Sequence, residues 1–156
     1  MESFIATLHH KSNYIWLLLL LPACIAHKEW SYSQTSSTHR QWNSHRILHR
    51  TKDPINGINV ELLKGAFGTV VYLTISAHPI PLSLDGSNQV PVVFLIEQKI
   101  FSYKATRMRG GQKFLLSEEA TEKLISSLEN HQNIHIYLDR YQTDLLSSNF
   151  FKLYKK

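Results

Sequence analysis

The most reactive side chain in this sequence is the thiol of Cys24, its single cysteine. A thiolate is nucleophilic enough to form a thioether or a disulfide, but a lone cysteine leaves no partner for an internal disulfide. The other residues with chemical potential are scattered. His131 and His135 stand four apart, a metal-ligand spacing on a helix. The helical pattern before them ends at Asn130, so they read as surface histidines, with a metal pair as the alternative. Glu118 and Glu119 have the types for acid and base work, yet at a helix start they are explained as partners of the helix dipole. Asp139, Arg140 and Asp144 read as a polar turn. His78 precedes Pro79 with no nucleophile motif to serve as its partner. The sequence has no nucleophile elbow, no phosphate-binding glycine loop, no HExxH and no CxxC. No catalytic residue, metal site or cofactor is therefore assigned.

Binding has a better foothold. Arg107, Arg109 and Lys113 surround Gly110-Gly111, and guanidinium groups beside glycines suit phosphates or carboxylates. The alternative is a solvated turn. A second basic stretch, His39, Arg40, His45, Arg46, His49, Arg50 and Lys52, suits anionic lipid headgroups or envelope polymers. The plain reading is a solvated polar linker, and a His-rich metal tract is a third, without metal-ligand regularity in its spacing.

The elements that position these residues begin with a leader. Ile15 to Ala26 is an uncharged, mostly apolar run of about a dozen residues, too short for the roughly 20 that a bilayer-spanning helix needs. A short apolar core ahead of small residues is the pattern of a secretory signal. Leu21-Pro22-Ala23-Cys24 resembles the lipobox of bacterial lipoproteins, with a branched apolar residue three before the cysteine and a small one directly before it. The resemblance covers the first 24 residues. It departs from the family at Pro22 and in a lead whose only base, Lys11, is offset by Glu2. It implies that Cys24 is lipidated, that residues 1–23 are removed, and that the chain is anchored in a bacterial envelope. Ile25 in place of an aspartate leans toward the outer membrane. A plain signal cut after Ala26 is the competing reading, and both imply export.

The net charge of +5 survives loss of the leader, which removes one base and one acid. Residues 24–52 read as a lipidated cysteine followed by a flexible polar linker, because Trp30, Tyr32 and Trp42 recur with no helical or alternating period. Asp53-Pro54-Ile55-Asn56-Gly57 marks the boundary, and residues 53–156 form a single globular domain of ordinary size. Strands are expected over Ile58–Leu63, over Thr69–Ser76 at the sheet centre, over Ile80–Leu84 and Val90–Ile96 as a hairpin about Asp85-Gly86, and over Ile100–Thr106. Ser117 caps one helix over about 117–130 with Ala120, Leu124, Ile125 and Leu128 on its stripe. Ile134–Leu138 and a last strand from the Leu145-Leu146 and Phe150–Tyr154 segments complete an α+β domain, mainly antiparallel sheet with one packed helix.

This order of strands, with "KFLLS", "EEATEKLISSL" and "NIHIYL", looks somewhat like small exported β-sandwich proteins of the invasion-associated locus B type. That family commonly carries cysteine pairs, and this chain has none after Cys24. The resemblance implies an exported sandwich without an evident catalytic centre. The expected function is that of a membrane-anchored, non-enzymatic binding or assembly factor of the periplasm or outer membrane. Its partners are the membrane and other envelope proteins or anionic polymers, not nucleic acid. The alternative is a small exported hydrolase or ligand carrier with a site assembled from dispersed residues.

Overall fold

Alternation of apolar and polar side chains builds the middle of the molecule. The computed structural model describes residues 29–39 and 43–156; the leader and Cys24 lie outside them. The strand expected over Thr69–Ser76 is β4 (Gly68–Ile75), with Val71, Leu73 and Ile75 buried and Tyr72 and Thr74 on the half-exposed face. Around it the chain forms β1 (Trp30–Thr35), β2 (Ser44–His49), β3 (Ile58–Gly65), β5 (Gln89–Ile96), β6 (Lys99–Arg107), β7 (Lys113–Leu116), α1 (Glu118–Glu129), β8 (Ile134–Leu138), β9 (Tyr141–Leu145) and α2 (Phe150–Tyr154). The sheet order is β1-β2-β3-β4-β7-β6-β5-β8-β9, and every neighbouring pair is antiparallel.

The sheet curls until its two ends meet. Gly57 forms a parallel bridge with Gln142, whose amide donates to Asn56 O at 2.9 Å. Trp30 Nε1 donates to Leu146 O at 2.8 Å. The result is a sandwich-like α+β fold with one continuous core, which includes Val60, Leu73, Phe94, Phe114 and Ile136. α1 crosses β4, β6 and β8, burying Ala120, Leu124 and Leu128. Its start follows the expected chemistry: the Ser117 hydroxyl accepts from Ala120 N, and Glu118 and Glu119 occupy the first turn.

Three expectations are corrected. Residues 24–52 are not linker throughout, because β1 and β2 pair with each other and with β3, and Trp30 and Ile47 are buried. A strand solvated on one face needs few apolar side chains, and "RILH" supplies Ile47 and His49 on the inner face while Arg46 points out. The domain thus reaches back to Trp30. The hairpin of Ile80–Leu84 with Val90–Ile96 does not form, and β5 pairs with β6 and β8 instead. Pro79 and Pro81 cannot donate to a ladder, Ile80 N is taken by Gly111 O, and Asp85 accepts from Ser87 N. Finally, Phe150–Tyr154 is helical rather than extended. Phe150 and Tyr154 are one turn apart with stacked rings 5.4 Å between centroids.

The registers also sort the connections by end. Trp30 lies opposite His49, His49 opposite Val60, Val60 opposite Leu73, Leu73 opposite Phe114, and Phe114 opposite Arg107. The start of β1 therefore shares one end of the sheet with the connections 50–57, 76–88 and 108–112. The β3–β4 turn with Phe67 and the β5–β6 turn at Glu97-Gln98 lie at the opposite end.

Candidate functional site

Where the curled sheet meets itself, the start of β1, the end of β2 and the β8–β9 pair surround a cavity of about 420 Å³. Glu29, His49, Lys52, His135, Thr143 and Asp144 are among its walls. The backbone brings them together in steps. Trp30, fixed through its indole N–H to Leu146, packs against the His49 ring at 5.0 Å between centroids and against Phe150 at 5.1 Å. The 50–57 connection is drawn in at Gly57, where any Cβ would collide with the Thr51 side chain and Asp53 O. On the other wall His135 lies opposite Asp144, and its Nδ1 is hydrogen-bonded to Asp144 Oδ1.

The electrostatics are unusual because the polar atoms are not paired off. Among the described residues, four buried side-chain N or O atoms find no partner, and three belong to this cavity: Glu29 Oε2, His49 Nδ1 and His135 Nε2. A buried polar atom without a partner costs roughly 1–3 kcal/mol, so three such atoms on residues lining one cavity mark it as the strongest candidate for a binding site. In the neutral ring, donation from His135 Nδ1 to Asp144 leaves Nε2 as an acceptor. Glu29 Oε1 stands 3.7 Å from Lys52 Nζ, which leaves Oε2 as a second acceptor. Burial pushes the His49 pKa below its ordinary value. Lys52 adds to that, while Glu29 and Asp144 oppose it. His49 is thus held neutral within reach of two carboxylates. No group of three His, Cys, Asp or Glu side chains is disposed to hold a metal ion among the described residues.

The residues singled out from sequence are distributed differently. Arg107 and Lys113 do not converge. Arg107 lies opposite Phe114 on the inward face, and its Nε donates to Ile80 O at 2.7 Å. Lys113 precedes Phe114 and projects from the other face, where its Nζ reaches Glu61 Oε2 at 3.1 Å and the Tyr72 ring at 4.1 Å. Glu61 also accepts from Arg46. Burial raises the Glu61 pKa, but the hydrogen bonds and charges of Lys113 and Arg46 outweigh it and leave the carboxyl below its ordinary value. Both cations are engaged in holding the sheet, and Arg109 remains alone and exposed on the turn. His131 sits past the end of α1 at φ 61°, its ring 6.2 Å from that of Phe151. His135 lies against Tyr137 and Asp144, so the two histidines have separate surroundings. His78 is exposed, and its backbone oxygen accepts from Tyr141 Oη at 2.6 Å. Asp139 and Arg140 form the β8–β9 turn, whereas Asp144 belongs to β9.

Glu29 is the residue that sequence reasoning misses, and His49 enters it only as one member of the basic stretch suited to anionic headgroups, not as a buried cavity residue. The inward alternation of Ile47 and His49 was the signal available for His49; Glu29 had none. No protein-family model, no curated protein and no solved structure matches the chain.

Proposed function

We propose that this chain is a lipid-anchored envelope protein that binds a small amine-bearing ligand in the cavity between β1–β2 and β8–β9, without transforming it. The observation that carries the binding reading is that three residues lining one cavity, Glu29, His49 and His135, each have a buried side-chain polar atom without a partner. A carboxylate oxygen and an imidazole lone pair accept hydrogen bonds, so the fitting group is a donor with positive charge, an ammonium or a guanidinium. A volume of about 420 Å³ suits a small molecule rather than a polymer. Anchorage is supported by the lipobox resemblance at Leu21-Pro22-Ala23-Cys24.

Calorimetric titration of the full chain with agmatine, which carries both cationic groups, tests the site. Saturable binding is expected, weakened about tenfold or more in Glu29→Gln, the scale of one lost charge-assisted hydrogen bond. Absence of binding, or equal heat from acetate, overturns the reading.

A second reading, a hydrolase, is favoured by one observation: Asp144 orients His135 as a carboxylate orients a catalytic imidazole. Ester hydrolysis that disappears in His135→Ala would replace binding with catalysis.

A further inference from the structure

The end of the sheet at which β1 starts carries large apolar side chains that nothing in the fold covers. Leu82 and Leu84 occupy the 76–88 connection, 51% and 110% exposed. Ile55 and Met108 stand exposed on the neighbouring connections. Their loops are firmly held rather than loose. Ile80 is buried and bonded to Gly111 O, and Asp85 accepts from the Ser83 hydroxyl and Ser87 N. Asp53, beside Ile55, accepts from Ile55 N at 2.8 Å and Asn56 N at 3.0 Å. The acids of these loops therefore have local donors, while Arg109 and Arg50 are exposed nearby.

The chain length outside the fold says what covers this end. β1 begins at Trp30, so five residues, and six Cα–Cα steps, separate it from Cys24. Six such steps span at most about 20 Å when fully extended. A lipid on Cys24 would hold Trp30 within that distance of the bilayer surface, and Trp30 lies at the end of the sheet that carries these connections.

Resting on the anchored reading above, we infer that this end seats on the anchoring bilayer, with Leu82 and Leu84 entering the interfacial layer. The exposed arginines meet the headgroups. Leucines on a braced loop lose water on entry, and nearby bases add attraction to anionic lipid. The two contributions supplement the acyl chains and fix the orientation of the domain.

The test uses the full chain with Cys24 retained, isolated from the membrane fraction and placed in vesicles of phosphatidylethanolamine and phosphatidylglycerol. Lipidation consumes the native thiol, so Leu84→Cys or Phe67→Cys supplies the one free sulfhydryl for a polarity-sensitive fluorophore. Expected are an intact mass carrying a diacylglyceryl group, a blue shift with strong quenching by nitroxide-bearing lipid at position 84, and neither effect at position 67. A lipidated chain with both labels water-like overturns the docking while the anchor stands. A label at position 84 that is shielded but not quenched by nitroxide lipid also overturns it, assigning the surface to a protein partner. An unlipidated chain overturns the anchor and the docking together.

Discussion

His49 shows how one position can join structure to chemistry. Its ring is packed on Trp30 inside the molecule, so the charged imidazolium is disfavoured there and its pKa lies below the ordinary 6.5. In the unfolded chain the ring regains its ordinary affinity for protons. Between the two pKa values the unfolded state binds more protons, so stability is complete above about 6.5 and falls as pH drops below it. Thermal unfolding followed between pH 7.5 and 5 is expected to show this loss, and His49→Gln is expected to flatten it. An unchanged slope in the variant would assign the dependence to other groups. Little of this was legible in the sequence, where His49 is one of several histidines in a polar stretch. Of the partners that give it meaning, Glu29 is brought by the pairing of β1 with β2, and Asp144 only by closure of the sheet.

At the scale of elements, the readable ones were those whose pattern agrees with their packing. β4, α1 and β8 carry clear apolar periods; the period selects the buried residues of β4 and β8, and in α1 it selects Ala120, Leu124 and Leu128, while Ile125 is half-buried and Thr121 and Ser127 are buried beside them. β1 and β2 were illegible because their burial is sparse. Trp30 is the one buried residue of β1, and Ile47 and His49 those of β2. The α2 segment reads as a strand from sequence because it is apolar, although the spacing of Phe150 and Tyr154 already fits a helical turn. Trp30 decides between linker and strand experimentally. As a linker residue it would be removable without cost. Packed against His49 and Phe150 and bonded to Leu146, it is expected to cost about 3–5 kcal/mol when replaced by alanine. Urea denaturation measures this, and a loss below about 0.5 kcal/mol, ordinary for a surface substitution, would return β1 to the linker.

For the whole molecule, the sheet order implies a gradient of local stability. β4 lies between β3 and β7, and its inward side chains are fully buried. β1 has one strand neighbour and exposes most of its side chains. Amides of β4 are therefore expected to exchange with solvent deuterium only through global unfolding, and those of β1 through smaller openings. Equal protection in both strands would contradict the gradient. The general architecture, a sheet-dominated α+β fold, was legible because alternation records which face is dry. The curl that creates the cavity was not, since no local pattern encodes which distant strands finally touch.

The indole of Trp30 is held by a carbonyl 116 residues later. The first strand is thus fastened by nearly the last, and such long-range closure is slow to form. During synthesis the nascent polypeptide lacks this clasp until Leu146 has left the ribosome. Until then the strand that begins at Trp30 is an edge held on one side only, and its anchorage waits on a residue more than a hundred positions away.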